Sequence, residues 1–249
     1  MAHPGSSQRL GAPSSRTSNM TEADGHLYEL RIYKIAPGRL PDMERRFRED
    51  ISALFPRHSI RIVGSWAALA GPAIPAFVYL MRWSDLAERS AAFARFGGDP
   101  DWLEARARTN GPSELVESYE IQFLRALESP GICEPMAFKQ DGLFELSLWA
   151  AANGQAAAMR EALLHNEMPA RTKAGASLVA AFEAVTGPRL PGLLSLVSWP
   201  DAATWQRSQS GIDAALAERV EADLGRKGRY VLGHADRFLL RPVDVNWHS

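Results

Sequence analysis

The chain carries one internal repeat. Displaced by 116 positions, Leu27-Tyr28-Glu29-Leu30 falls on Leu143-Phe144-Glu145-Leu146. The same displacement puts Gly38 on Gly154, Gly71-Pro72 on Gly187-Pro188, Trp83 on Trp199, Asp85 on Asp201 and Arg125 on Arg241, with no gap. The matched positions are turn glycines and large apolar residues, the classes that set a fold. Two copies of about 100 residues make two similar subdomains, because a solenoid needs three or more shorter units. The expected division is a leader over 1–25, a first unit over 26–126, a Pro/Gly-rich linker over 127–142, a second unit over 143–242 and a tail over 243–249. Function is expected where the halves meet.

Each copy reads as the same string of elements. Leu27 to Tyr33 is rich in strand formers and closes at Pro37-Gly38. Leu40, Met43, Phe47, Ile51 and Leu54 then recur at steps of three and four, a helix with one apolar stripe that Pro56 ends. Ile60–Ala68 and Phe77–Trp83 read as strands about the Gly71-Pro72 hairpin, and Asp85 caps a second helix carrying Leu86, Phe93 and Phe96. Asp101–Thr109 is a short basic helical or irregular piece, and Glu117–Arg125 is a closing strand. The second copy offers strands at Leu143–Trp149, Leu178–Val185, Leu193–Trp199 and Tyr230–Leu240, with helices from Gln155 to Ala170 and through Trp205, Ile212, Leu216, Val220 and Leu224. The order β-α-β-β-α-β is the ferredoxin-like arrangement. Such a sheet has both helices on one face, so a second copy must cover the other. The expected fold is α+β: two tandem ferredoxin-like units packed sheet to sheet as a barrel with helices outside.

The run Tyr28-Glu29-Leu30-Arg31-Ile32-Tyr33 ahead of Pro37-Gly38 resembles the opening of the NIPSNAP family. So do Val63-Gly64-Ser65-Trp66, Trp83 followed by Asp85, and Arg89 before Asp99-Pro100-Asp101-Trp102. The resemblance covers 27–126 well and 143–242 more weakly: Arg31 becomes Ser147, Arg89 becomes Trp205, and the Asp-Pro-x-Trp element has no counterpart. It implies the dimeric α+β barrel fold, shared with stress-responsive barrels, small quinol monooxygenases and chlorite dismutases. It implies no single activity, since bacterial members are mostly uncharacterised and animal ones are discussed as mitochondrial interaction proteins.

Strand alternation divides the first strand into Leu30 and Ile32, expected under the helices, and Glu29, Arg31 and Tyr33, expected to face the barrel interior. Glu145, Ser147 and Trp149 form the equivalent face of the second copy, and Trp66, Tyr79 and Trp83 supply further aromatic wall. These residues suit a small hydrophobic or anionic ligand held between the two sheets. A buried ion-pair network that merely closes the barrel, and ordinary aromatic packing, account for the same residues. The catalytic alternative is a cofactor-free monooxygenase or isomerase with Glu29 or Tyr33 as proton acceptor. A third reading is a protein-interaction module, which would need an exposed apolar patch on the outer helices. Arg89 and Asp99 to Trp102 read as structural supports for the second helix and its turn.

The remaining signals are mainly exclusions. A net charge of −1 over 249 residues argues against nucleic-acid binding, and no stretch approaches the length of a membrane span. Cys133 is the only cysteine, so no intrachain disulfide forms. The leader lacks the apolar core of a secretory signal; its arginines and serines faintly suit an organelle transit peptide, but its prolines and glycines spoil the helix such a peptide needs, and a disordered leader or an over-extended start upstream of Met20 is the expectation. A cytoplasmic location is therefore expected. The six histidines never take metal-ligand spacing, and no nucleophile elbow, phosphate loop or dinucleotide fingerprint is present. No cofactor is expected, and self-association is left open.

Overall fold

The computed structural model describes residues 25–247 apart from 112, 129, 131, 133–141, 228–231 and 233–234. The leader up to residue 24, Cys133 with most of the linker, the expected strand start at Tyr230, and His3, His234 and His248 lie outside the described residues. Eight strands close into one antiparallel barrel: β1 (Leu27–Ile35), β2 (Arg61–Ala70), β3 (Ala76–Trp83), β4 (Val116–Glu128), β5 (Leu143–Ala150), β6 (Ser177–Ala184), β7 (Gly192–Trp199) and β8 (Asp236–Pro242). Their order around the barrel is β1-β3-β2-β8-β5-β7-β6-β4. Each half contributes its strands in the same internal order, β4-β1-β3-β2 and β8-β5-β7-β6. The halves join at their edges, β2 to β8 through Ala67↔Arg241 and β4 to β6 through Arg125↔Glu183. This closure leaves no open sheet edge.

Helices cover the outside. In the first half α1 (Leu40–Arg46) passes through a π-helical turn at Phe47–Ile51 into α2 (Ser52–Arg57), and α3 (Leu86–Gly97) and α4 (Pro100–Asn110) follow β3. In the second, α5 (Ala156–Ala162) passes through a π turn at Leu163–Glu167 into α6 (Met168–Lys173), and the single α7 (Ala202–Lys227) follows β7. Both π turns and both cis peptides, Ile74-Pro75 and Leu190-Pro191, recur at the 116-residue displacement. The stripe predicted for the first helix packs onto the sheet, although the π turn adds Phe55 beside Leu54 and Pro56 sits inside the last turn rather than ending it. Asp85 caps α3 by accepting from the Glu88 amide, as its position predicts. The last strand begins at Asp236, later than the pattern suggested.

The sheet faces are the reverse of the expected ones. Leu30 and Ile32 point into the barrel with Val78, Leu80, Leu146, Leu148, Leu194 and Leu240, forming an apolar core shared by both halves. Glu29, Arg31, Tyr33, Tyr79 and Trp83 lie on the outer face of the first half, under its helices, and Glu145 and Trp149 occupy the same position in the second. Trp66 leaves the wall it was grouped with and fills the lumen, 5.6 Å from the Phe144 ring. The physical reason is capacity. A narrow eight-stranded lumen has room for interdigitated aliphatic side chains, whereas buried charges need partners, and on the outer face the helices supply them with Arg89, Arg171 and Trp205 beside donors from the strands. Both faces of β1 are buried, so alternation alone cannot tell inside from outside. The lumen leaves about 10 Å³ of free space beside Leu30, Trp66 and Leu146, so no ligand fits between the sheets there.

Candidate functional site

Glu29 sits at the centre of the first helix–sheet layer and is fully buried. Arg31 Nε donates to its Oε1 at 2.7 Å and Trp83 Nε1 to its Oε2 at 3.1 Å. Arg89, one turn into α3, grips both oxygens at 3.0 Å. These four bonds take the roughly four acceptor positions of a carboxylate. Arg31 continues the network outward, donating to the Tyr33 hydroxyl at 2.9 Å and the Tyr79 hydroxyl at 3.2 Å, while Tyr79 donates to Tyr33 at 2.7 Å. The Phe93 ring lies against both guanidinium groups, with its centroid 4.3 Å from Arg31 Cζ and 4.4 Å from Arg89 Cζ.

Electrostatics follow from this packing. Burial pushes the Tyr79 phenol well above its usual range, and its contact with Tyr33 adds to the shift against the opposing pull of Arg31. Tyr79 is therefore a fixed donor at neutral pH, and Tyr33 accepts two hydrogen bonds while its own proton is left to donate. Burial lowers the affinity of Arg31 for its proton, but Tyr79, Tyr33 and Glu29 together outweigh it and raise its pKa.

Beside this cluster lies a cavity of about 50 Å³ lined by Arg31, Tyr33, Phe47, Phe55, Tyr79, Phe93 and Trp102, with Arg46 on its helix side. Arg46 is buried and binds only neutral partners, Thr109 Oγ1 at 2.7 Å and Asn110 Oδ1 at 2.5 Å. It makes no direct ion pair among the described residues; burial lowers its pKa to about 10, against the opposing pull of Asp50 and Glu114. Trp102 closes the outer side, stacked 4.6 Å from Phe96 and facing Arg46. Its helix α4 is fastened at the start by Asp99, which accepts from the Asp101 amide and contacts His58 Nε2 at 2.6 Å.

The second half builds a different layer on the same plan. Glu145 takes Trp205 Nε1 at 3.0 Å where Glu29 takes Arg89, and Arg171 Nη1 at 2.7 Å. Arg171 also binds Glu167, and both stand where the first half has Phe55 and Ile51. Ser195 replaces Tyr79 and Trp149 replaces Tyr33, so the tyrosine pair is lost. The expected residues thus divide among three places: Glu29, Arg31, Tyr33, Tyr79 and Trp83 meet in one cluster, Glu145 and Trp149 in another, and Trp66 in the lumen. The pair Arg45-Arg46, with acidic neighbours, reads in the sequence as a solvated face, but Arg46 is buried; the contact of Phe93 with two arginines and the cavity role of Trp102 were not anticipated. The available signal for Arg46 was its position three residues after Met43 and one before Phe47, a charge on the buried side of an otherwise apolar stripe. No group of metal-ligating residues occurs among the described residues.

The NIPSNAP family model matches residues 28–130. Among solved structures, a candidate monooxygenase from Fusobacterium nucleatum subsp. nucleatum is 7% identical, covers 88% of this chain and 93% of its own, and gives a TM-score of 0.57. An anthrone oxidase-like protein is 12% identical over 90% of this chain and 95% of its own, with a TM-score of 0.51. A NIPSNAP family protein of unknown function from Agrobacterium tumefaciens is 26% identical over 46% of this chain and 91% of its own, with a TM-score of 0.35. Comparison with curated proteins gives no match. The first two likenesses establish the shared α+β barrel fold and nothing finer.

Proposed function

Because residues 28–130 belong to the NIPSNAP family, we propose that the first half of this chain binds a small anion with an aromatic or otherwise apolar body, in the cavity between its sheet and its helices. The carrying observation is charge. Arg31 and Arg46 line an aromatic space, Arg89 backs its Phe93 wall, and among the described residues Glu29 is the one carboxylate hydrogen-bonded to any of the three. Arg46 feels Asp50 and Glu114 only through space; burying a cation without a directly bonded anion is costly, so Arg46 is the group whose retention a bound anion explains. An enolate, phenolate or carboxylate would reach Arg46 and the free Tyr33 proton together. The resting cavity of about 50 Å³ has room for only the head of such a molecule, and its body would enter by displacing Trp102 on α4.

In this reading the tandem arrangement is a fused pair of ferredoxin-like units in which one layer keeps the binding site. Arg171 and Glu167 fill the other, which becomes structural. If the site is catalytic, as a cofactor-free monooxygenase or isomerase, Tyr33 is the better-placed proton-transfer group, since every acceptor position of Glu29 is occupied.

The test is calorimetric titration with small aromatic carboxylates and phenols. A ligand should bind the wild type and lose about 10- to 100-fold in affinity to Arg46→Gln, as expected for removing a charged hydrogen bond. Equal binding to both proteins, or no ligand across the panel, would remove this site.

A further inference from the structure

Exposed large apolar side chains gather away from the outer helices. Leu69, Ile74, Tyr119, Val185 and Leu190 stand at one end of the barrel, leaving only Leu86 and Leu103 on helices among the described residues. This end is where β1, β2, β5 and β6 finish, and it holds a cavity of about 460 Å³ between the two hairpins. Ile32, Leu148 and Phe238 form its floor, and beneath them the filled lumen seals it into a cup. Gly71 makes one wall possible: its φ of +158° and its contact with the Phe238 ring leave no room for a Cβ, so the first hairpin lies directly on that ring.

The polar rim is uneven. Arg189 is spent on Asp236, and Glu120 accepts from Gln122. Lys34 is exposed on the same rim and has no ion pair among the described residues. Several lining positions recur at the 116-residue displacement, Ile32 with Leu148, Pro72 with Pro188 and Glu120 with Asp236, so the cup is built from both halves. Lys34 has Ala150 as its counterpart, so this cation stands on one side of the cup only.

We propose that this cup is a second binding site, for an amphipathic organic monoanion whose apolar body rests on Ile32, Leu148 and Phe238 and whose acid group meets Lys34. It is separate from the helix–sheet cavity and does not depend on it. The probe is 1-anilinonaphthalene-8-sulfonate, an aromatic monoanion of suitable size, followed by fluorescence on the full chain. Wild type should bind at one saturable site. Lys34→Glu, which reverses the rim charge, and Ala73→Trp, which fills the cup from the hairpin, should each weaken binding at least tenfold with unchanged circular dichroism. Arg46→Gln should leave the affinity as it is. Unchanged binding in both mouth variants overturns the proposal, and so does loss of binding in Arg46→Gln alone, which would transfer the probe to the helix side.

Discussion

Glu29 and Asp99 show two uses of a buried carboxylate. Glu29 is surrounded by donors and serves as a hub for Arg31, Arg89 and Trp83. Asp99 holds an element in place: its hydrogen bond with His58 chiefly lowers its pKa, burial opposes, and the Asp101 amide and Arg57 add to the lowering. A carboxyl lowered in the folded state stabilises above its unfolded pKa, and that contribution disappears as pH falls through the folded value. Asn keeps the cap of α4 while removing the charge. Asp99→Asn should therefore melt below wild type at pH 7, and the gap should close as the pH drops below about 4, the ordinary carboxyl range. A gap as wide at pH 3 as at pH 7 would mean that the charge is not what Asp99 contributes. That Glu29, Arg31 and Tyr33 share one face was legible in the sequence, and a charged pair in a strand of otherwise strong strand formers must find partners. Their direction was not, because the deciding partner, Arg89, lies 60 residues away.

At the scale of elements, strands and helices followed from local pattern, and their boundaries moved by a few residues where tertiary pairing extended them. β4 continues to Glu128 because β6 pairs with its end, a contact between halves that no local window contains. The π turns at Phe47–Ile51 and Leu163–Glu167 were likewise invisible to a 3.6-residue periodicity. Their consequence differs between halves: in the first the following turn delivers Phe55 to a cavity, and in the second it delivers Arg171 to Glu145 and Glu167. Arg171 is almost wholly buried between two carboxylates, whereas Arg237 reaches the same pair with its side chain 41% exposed. Removing the buried cation strands both anions, a loss of about 3–5 kcal/mol; removing the exposed one should cost less than about 1 kcal/mol. Urea unfolding of Arg171→Met and Arg237→Met measures the contrast. Similar losses in the two variants would show that the second layer is not organised around Arg171.

The whole molecule is constrained most by its lumen. Leu30, Leu80 and Leu124 from one half interdigitate with Leu146, Leu196 and Leu240 from the other, so neither half encloses a core of its own on that face. The edge pairs β2–β8 and β4–β6 tie the same surfaces together by backbone hydrogen bonds. The C-terminal segment adds a third tie, with Val243 bonded to Ser65 and Trp247 packed against Phe47 of the first half. Separation would expose two apolar faces and four strand edges at once, which makes independent unfolding of one half costly. The repeat in the sequence suggests two units, and the shared lumen and paired edges predict that they unfold as one. Leu240→Ala tests this, because Leu240 is fully buried, lies on β8 and touches the common core. It should destabilise the chain by about 2–5 kcal/mol. In amide hydrogen exchange, protection should fall in β1 and β3 by as much as in β5 and β7, although the substituted strand is not hydrogen-bonded to β1 or β3. If β1 and β3 keep wild-type protection while the second half exchanges faster, the halves are separate cooperative units that share only a surface, and the barrel-mouth cup would open and close with the second half alone.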